Sequence, residues 1–283
     1  MSRKKYSDRV KDLDGFHSIC PYIMPKRTEA EVSINETFDI TELKTYLARR
    51  REEEGTELKL FHAICTAVAR TIYNRPYMNY YISGKHYYKR REISLSFVAK
   101  KQFADGAEEA LMFLTVKPEM NIFNIAHIIL GDVETARKKG TNDLGNTLDF
   151  LGKLPRFLLN IIFGGARLME YFNIFPASLR AGDPNYSTAL LSNLGSIGCG
   201  SVYHHLSNYG TNSMIITIGT MHPERDIDGN IHDVVDMSFT LDERIADGFY
   251  FARSLKLVKY MLEHPETLEE CVSAPLTLEQ INA

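Results

Sequence analysis

Two turn-rich segments of the sequence hold polar side chains at the point where a predicted strand ends. In residues 191–200, Ser192, Asn193 and Gly195 follow an apolar run. In residues 241–249, Glu243 and Asp247 stand between an apolar run and a helical pattern. Because rigid elements flank such junctions, their polar groups are well placed to line a site. Neither segment is diagnostic alone, since an Asp before a helix is usually an N-cap.

Common catalytic and metal-binding patterns are absent from the sequence. It has no Gly-x-Ser-x-Gly elbow, no phosphate loop and no GxGxxG. His204 and His205 are adjacent, and adjacent side chains of an extended segment face opposite ways, so we predict that they are poor co-ligands. The four cysteines form no CxxC pair. We therefore expect no metal site and no disulfide framework, and we favour a cytoplasmic location.

Hydrophobic periodicity predicts the elements that position these segments. Helices are predicted over residues 38–54, 57–74, 121–139 and 247–263, and strands over residues 93–98, 110–116, 188–192, 213–219 and 234–241. Asp39 or Thr41 is the expected cap of the first helix, and Thr56 of the second. This order predicts an α/β (α+β) fold with a mixed sheet and flanking helices. No linker divides the chain, so we expect one domain over residues 1–283.

An apolar stretch interrupted by basic residues covers residues 151–175. Its pattern predicts one or two helices that are buried or face a partner, and an ordinary core helix is the favoured interpretation. Its longest largely apolar part, residues 157–166, is about half of the roughly 20 residues that a membrane span requires. We therefore predict no membrane span.

The charge balance argues against nucleic acid as a partner. Lys and Arg number 33 and Asp and Glu number 36, for a net charge of −3. A nucleic-acid-binding chain is typically basic. Two short basic runs are candidates for contacts with phosphates, although ordinary surface charge is the simpler interpretation. They are Lys89, Arg90 and Arg91, and Lys138 and Lys139.

Five segments together resemble a known family. In order along the chain, they are residues 31–43, 62–79, 192–195, 215–219 and 242–248. They are similar to the catalytic domain of the 2-oxoacid dehydrogenase acyltransferases, and more distantly to chloramphenicol acetyltransferase. The resemblance implies a chloramphenicol acetyltransferase-like two-layer architecture, coenzyme A or an acyl-CoA as co-substrate, and a homotrimer with active sites between subunits.

The resemblance also implies roles for single residues. Ser192 matches the serine that stabilises the tetrahedral oxyanion, with Asn193 and Gly195 in the substrate-binding turn. Asp247 matches a structural aspartate that pairs with an arginine, for which Arg9 is a candidate. Glu243 stands where the family has its general-base histidine. A glutamate, with an ordinary pKa near ~4.3, is a weaker base near neutral pH than an imidazole.

This departure leaves two functions open. The first is an acyl-CoA-dependent acyltransferase that moves an acyl group from a thioester to a thiol, hydroxyl or amine of a small-molecule acceptor, with Glu243 as base. The second is a catalytically degenerate homologue, a pseudoenzyme that binds a ligand or serves in assembly. His17, His204 or His205 could replace the missing base. The sequence shows no lipoyl domain and no peripheral-subunit-binding domain, so free CoA thioesters are the expected acyl source.

Overall fold

Two β-sheets and a set of flanking helices form the structure. The computed structural model describes residues 6–55, 57–100, 109–139, 150–180 and 182–276. The strands are β1 (Ser7–Arg9), β2 (Glu31–Asp39), β3 (Tyr80–Ser83), β4 (His86–Arg90), β5 (Ile93–Lys100), β6 (Glu109–Val116), β7 (Ala189–Asn193), β8 (Met214–Arg225) and β9 (Ile231–Asp242). The helices are α1 (Gly15–Ile23), α2 (Thr41–Glu54), α3 (Leu60–Asn74), α4 (Ile122–Lys139), α5 (Arg156–Tyr171), α6 (Ala177–Arg180) and α7 (Gly248–Glu263).

The larger sheet has six strands in the order β2-β9-β8-β7-β5-β6. Strand β7 is parallel to both of its neighbours, β5 and β8, and the other pairs are antiparallel. The predicted mixed sheet with flanking helices is therefore confirmed. The smaller sheet has the order β1-β4-β3.

One face of the six-stranded sheet forms the hydrophobic core. Alternate residues of β9, such as Met237 and Phe239, belong to this core together with Leu191 of β7 and Ile216 of β8.

Helix α3 packs against the sheet, and its residues 62–72 are all buried. Most of these residues are apolar, as expected of a helix that is buried on every side, and the buried Arg70 among them is paired with Glu270 at 2.6 Å. Helices α2 and α7 pack beside it.

The predicted helix and strand positions are confirmed, with differences at several of their ends. The first helix begins at Thr41 and not at residue 38, because residues 38–39 belong to β2, and β8 and β9 are longer than predicted at the ends that form their hairpin. The Asp39 carboxylate accepts a hydrogen bond from the Thr41 amide at 2.9 Å, but the N-cap position is Ile40 and has no side-chain cap, so the predicted cap at Asp39 or Thr41 is wrong.

The second helix begins at Leu60 and not at residue 57. Leu58 is fully buried while still outside the helix, and its carbonyl accepts a hydrogen bond from Arg51 at 3.2 Å. Thr56, the predicted cap, lies outside the described residues.

The prediction of an ordinary core helix within residues 151–175 is wrong. In α5, only Ala166 is buried. Phe157 is 64% exposed, Ile161 67% and Leu168 60%. Periodicity predicted the helix but not its surroundings, because an apolar stripe looks the same whether it faces the core or solvent. None of the helices in the described ranges is both long enough and apolar enough to cross a membrane.

A histidine between two carboxylates ties the β8–β9 hairpin to the start of α2. The Nδ1 atom of His232 lies 2.6 Å from Oδ2 of Asp39, and its Nε2 atom lies 3.3 Å from Oδ2 of Asp226. These hydrogen bonds, that to Asp39 first, raise the pKa of His232 above its usual value. Protonated His232 therefore stabilises the folded state.

We expect the stability gained from His232 to be present below pH ~6.5, the pKa of an unfolded histidine, and to be lost as pH rises through the higher folded-state pKa. Urea-unfolding midpoints of the wild type should therefore fall between pH 6 and 8 more steeply than those of His232→Gln. The exposed His127 of α4 offers a control, because the described chain shows no carboxylate partner for it, and His127→Gln should keep the wild-type slope. Equal slopes for wild type and His232→Gln would contradict this role.

Candidate functional site

Ser192 lies near the end of β7, on the sheet face that points away from the core. The strand register places Ser192 beside Thr217 of β8, Thr217 beside Ser238 of β9, and Ser238 beside Asn35 of β2. Paired residues of neighbouring strands share a face, so these four side chains form one polar row across four strands. The preceding residue, Leu191, points to the opposite face and is buried in the core.

The segment that follows the Ser192 turn folds over this polar row. The Thr217 hydroxyl donates a hydrogen bond to the Val202 carbonyl at 2.5 Å, and Ser201 and Ser238 both donate to Oδ1 of Asn35, at 3.1 and 2.7 Å. Ser192 is half-buried, and its hydroxyl makes no hydrogen bond within the described residues. The Ser192 hydroxyl is therefore free to donate to a ligand.

The turn after Ser192 depends on a close approach of two backbones. Residues 194–197 form a 3-10 turn, which ends at Gly198 with a φ of 75°. A Cβ atom built on Gly195 would overlap the Gly219 peptide, with its carbonyl carbon only 2.8 Å away. Only glycine therefore allows this turn to pack on the β-bulge of β8 between Ile218 and Met221.

A cavity of about 590 Å³ opens beside this turn, and it is lined mainly by apolar side chains. Asn193 and Gly195, both predicted to bind substrate, line it together. Its apolar lining includes Leu43, Leu47, Leu58 and Phe61. Three basic side chains also line it: Lys44, Arg51 and Lys59. The combination of an apolar interior and cations suits an amphipathic anion.

The basic residues singled out from the sequence lie elsewhere. Arg90 is buried, and its guanidinium donates to the Tyr80 carbonyl at 3.0 Å. Arg91 forms a two-point ion pair with Asp8. The side chains of Lys138 and Lys139 lie outside the described part of the chain. Lys44, Arg51 and Lys59 were not predicted, because nothing in their spacing shows that α2 and the segment before α3 converge on one cavity.

Glu243 lies at the turn after β9, next to a buried ion pair. The Asp242 carboxylate is fully buried and accepts two hydrogen bonds from Arg244, both at 2.7 Å. Arg244 also donates to the Met24 carbonyl at 2.9 Å. The Glu243 amide donates to the Ala30 carbonyl at 2.9 Å, whereas its side chain is exposed. The backbone of the turn is therefore fixed while the Glu243 carboxylate faces outward.

Asp247 has the role of a helix cap. Its carboxylate accepts a hydrogen bond from the Tyr250 amide at 2.7 Å, at the start of α7. Arg9, the candidate partner for Asp247, instead contacts His86, with its Nη2 atom 3.0 Å from the ring Nδ1. The pairing of Arg9 with Asp247 is therefore not formed. An orienting role for Asp247 remains, because it fixes the junction between the Glu243 turn and α7.

Ser192 and Glu243 do not meet within one chain. Ser192 is level with Ser238, two strands away, and Glu243 lies five residues further along from Ser238. At about 3.4 Å per residue and about 4.8 Å between strands, the two residues are roughly 20 Å apart. A site that uses both residues needs Glu243 from another copy of the chain.

The three candidate histidines differ in their surroundings. His204 and His205 are exposed, and their rings stack at 4.9 Å, so the prediction that they face opposite ways is wrong. Their segment is not a strand, and its side chains need not alternate. No cluster of histidine, cysteine or acidic residues suited to a metal ion occurs among the residues that the structure describes.

His17 lies close to the Glu243 turn. Its Nδ1 atom is 2.7 Å from Oδ2 of Asp14. Its ring contacts that of Tyr87 at 6.0 Å, and the Tyr87 hydroxyl donates to the Arg244 carbonyl at 2.9 Å. A small cavity of about 130 Å³ is lined by His17 and Ile245. Of the three histidines, only His17 is held by a carboxylate beside the predicted site.

We expect Gly195→Ala to displace the Ser192 turn, because the added methyl group must push the Gly219 backbone aside. The cost should be about 1–3 kcal/mol in the free energy of unfolding, as for other overpacked positions. Gly200→Ala is the matched control, since a Cβ there meets nothing within 4 Å. Urea unfolding of the three proteins measures the difference, and equal stability of the two variants would refute this packing role.

Comparison with known proteins confirms the resemblance seen in the sequence. Residues 177–269 match the model of the 2-oxoacid dehydrogenases acyltransferase catalytic domain. This range contains Ser192, Glu243 and Asp247. No curated protein sequence matches the chain.

Solved structures match over nearly the full chain. A probable dihydrolipoamide acetyltransferase from Listeria monocytogenes 4b F2365 is 18% identical, with a TM-score of 0.58 and coverage of 95% of this chain and 97% of that one. The dihydrolipoamide acetyltransferase of Azotobacter vinelandii is 15% identical, with a TM-score of 0.60 and the same coverage. A chloramphenicol acetyltransferase is 12% identical, with a TM-score of 0.56 and coverage of 90% and 99%. The chain thus has the chloramphenicol acetyltransferase-like fold, and over residues 177–269 it matches the catalytic-domain family of the 2-oxoacid dehydrogenase acyltransferases.

Proposed function

We propose that the protein is an acyltransferase that moves an acyl group from a CoA thioester to a small-molecule acceptor, in sites formed between subunits of a homotrimer. The observation that carries this proposal is the cavity beside the Ser192 turn, which combines an apolar interior with three cations. The fold and the family match make acyl transfer the first reaction to test, although a fold alone does not fix a reaction.

Coenzyme A fits the chemistry of this cavity. Its phosphates need cations at an open rim, where Lys59 is 56% exposed and Lys44 is 59% exposed. Lys59 is paired with Glu57 at 3.3 Å and Lys44 with Asp233 at 2.8 Å, so a phosphate would have to compete with these surface carboxylates. Its pantetheine arm needs a narrow, mostly apolar passage toward the reacting carbonyl. The cavity volume of about 590 Å³ lies within the usual range of ligand pockets, roughly 300–1,000 Å³.

Asn193, next to Ser192, lines this cavity, whereas Ser192 itself points to the other face of the sheet and does not line it. The reacting end of CoA must therefore pass the end of β7 to reach the Ser192 hydroxyl.

Ser192 is suited to stabilise the developing oxyanion. In acyl transfer the acceptor attacks the thioester carbonyl, the carbonyl oxygen gains negative charge, and the CoA thiolate then leaves. A hydroxyl without an internal partner can donate to that oxygen at the moment when the charge forms. The described chain gives Ser192 no other hydrogen-bond partner. The free hydroxyl thus agrees with the role that the resemblance implies.

Proton removal from the acceptor is assigned to Glu243 of a neighbouring subunit. The roughly 20 Å between Ser192 and Glu243 in one chain motivates this assignment. Glu243 is exposed on a turn that a buried ion pair holds in place, so it can reach across an interface. His17, held by Asp14, is the second candidate for this base.

A degenerate acyltransferase that binds ligands without turnover is the competing function. The Glu243 carboxylate makes no hydrogen bond in the described chain, so no neighbour orients it as a base. This protein would retain CoA binding in the cavity and lack acyl transfer. The two functions therefore share a binding site and differ in turnover.

Calorimetric titration of the purified protein with CoA and acetyl-CoA tests the cavity. We expect saturable binding that weakens as salt rises. Lys59→Gln should weaken binding about fivefold, the equivalent of about 1 kcal/mol for one exposed charge. Lys89→Gln, an exposed lysine that does not line the cavity, is the matched control and should bind as the wild type does. Failure to bind CoA at millimolar concentration would exclude the proposed acyl donor.

Acyl transfer is measured as release of free CoA thiol from acetyl-CoA with thiol, hydroxyl and amine acceptors, dihydrolipoamide among them because two similar structures are dihydrolipoamide acetyltransferases. Ser192→Ala should lower turnover at least tenfold, because an oxyanion donor contributes about 10²–10³ in other enzymes. Ser273→Ala, at an exposed serine that does not line the cavity, is the matched control and should have little effect. A normal rate in Ser192→Ala would exclude the oxyanion role.

Co-expression of Ser192→Ala with Glu243→Gln under separate tags tests the shared site. A mixed trimer contains one interface with both native residues, so about a third of wild-type turnover should return. Mixed trimers no more active than the parents would place the site within one chain. Loss of turnover in His17→Gln but not in Glu243→Gln would assign the role of general base to His17. CoA binding without turnover in the wild type would support the degenerate function.

A further inference from the structure

The face of α5 that points away from the body of the protein carries an apolar stripe, with Gly164 between its two halves. Phe157, Ile161 and Leu168 stand at offsets of 0, 4 and 11 residues, and Phe172 follows just after the helix at offset 15. At about 100° per residue these positions fall within an arc of roughly 60°. The exposed fractions of these side chains range from 60% to 67%.

Helix α5 touches the rest of the chain mainly through its C-terminal half. Ala166 is buried there with Phe175 and Tyr186, and Met169 packs against them. The tip of the β3–β4 hairpin also meets this end, because Gly84 lies directly against the Tyr171 carbonyl. Residues 160–165 are exposed all around the helix. The N-terminal half of α5 therefore projects from the protein surface.

Basic side chains accompany the stripe. Residues 150–180 contain Lys153, Arg156, Arg167 and Arg180 and one acidic residue, Glu170, in a chain whose net charge is −3. Lys153, Arg156 and Arg167 are exposed. The Glu170 carboxylate is used internally, since it accepts hydrogen bonds from the Tyr186 hydroxyl and, at 2.8 Å, from the Gly210 amide.

We propose that α5 and its flanking residues dock the protein on an anionic membrane surface. A helix with a long apolar stripe and flanking cations lies in the plane of a bilayer, with its apolar side in the acyl chains and its cations at the headgroups. The apolar stripe alone does not distinguish a lipid surface from a protein partner. The cations beside the stripe favour anionic lipid.

A second copy of the chain is the competing occupant of the stripe, either through a two-fold pairing of α5 with itself or within the proposed trimer, where α5 would meet a different surface of its neighbour. Arg156 and Arg167 stand eleven residues apart and therefore lie on the same side of the helix. A two-fold pairing of α5 with itself would bring these cations from both copies to one interface, with no exposed carboxylate on the helix to balance them. The cations of the two copies would repel each other in such a pairing, whereas an anionic lipid surface would attract them.

Flotation with lipid vesicles tests the docking. The full-length protein should float with vesicles of phosphatidylcholine and phosphatidylglycerol and much less with phosphatidylcholine alone. The double variant Ile161→Ser, Leu168→Ser removes two exposed apolar contacts and should lower vesicle affinity at least tenfold. Ile227→Ser, at a fully exposed isoleucine in the β8–β9 turn, is the matched control and should bind as the wild type does.

Substitution of the cations tests the docking independently of the apolar stripe. Lys153→Gln and Arg156→Gln should each lower affinity for anionic vesicles about fivefold, by about 1 kcal/mol per charge near the surface, and leave binding to neutral vesicles unchanged. All substituted positions are exposed, and circular dichroism checks that each variant is folded. In all of these variants, acyl transfer from acetyl-CoA to a water-soluble acceptor should be unaffected. The membrane-docking proposal and the proposed acyltransferase function can therefore be refuted separately.

Two results would overturn the proposal. The first is wild-type protein that stays in the vesicle-free fraction at low salt. The second is a change of molar mass by light scattering in the Ile161→Ser, Leu168→Ser variant together with unchanged vesicle binding, which would show that another copy of the chain covers the stripe.

Discussion

The position of the Glu243 turn depends on one buried carboxylate that two arginines share. Asp242 makes two hydrogen bonds with Arg244 and lies 3.9 Å from the Nε atom of Arg27. Arg27 in turn donates to the carbonyls of Ser207 and Gly210. Burial lowers the pKa of Arg27 to about 10, and the Asp242 charge opposes this shift. The cluster joins the end of β9, the segment before β2 and the segment that follows the Ser192 turn.

A buried ion cluster of this kind fixes geometry more than it adds stability. Desolvation of the charged groups offsets most of their attraction, but loss of the shared carboxylate would leave two buried cations with only carbonyl partners and without the negative charge that they share. Hydrophobic packing under the sheet therefore supplies most of the folding free energy, and the cluster sets where the Glu243 turn lies. This division explains how a site residue can be exposed and still be held in place.

Sequence patterns predicted most of the larger sheet and its helices, because strong periodicity marks β8, β9, α3 and α7. The β3–β4 hairpin was missed, although its signal is present. Ser83 pairs with His86, which leaves Gly84 and Lys85 as a two-residue loop with φ of 55° and 63°. Such a loop between tyrosine-rich runs is typical of a hairpin. The exposure of α5 could not be predicted, since periodicity does not show what a stripe contacts.

The sequence predicted individual residues of the candidate site but not how they are arranged in space. The resemblance identified Ser192 and Glu243, whereas their separation follows from the strand order β7-β8-β9, which no local pattern encodes. The cations of the cavity were missed for the same reason, since Arg51 and Lys59 come together only when α2 packs beside the segment before α3. The resemblance assigned Asp247 a structural role. Its position before a helix already allowed the ordinary role of an N-cap, and the structure shows this cap.

The polar row of Asn35, Ser238, Thr217 and Ser192 has an evolutionary consequence. Helices cover one face of the large sheet, and this face supplies the core, whereas the opposite face carries small polar side chains under a single irregular segment. Thr217 and Ser238 are buried and hydrogen-bonded, so substitutions there would leave polar groups without partners. Asn35 and Ser192 at the two ends of the row are at least partly exposed, so changes there alter what the sheet presents to a ligand or neighbour without opening a cavity in the core. A lineage can change specificity or assembly at those two positions at small cost in folding, so a fold of this kind can keep its architecture while its chemistry diverges.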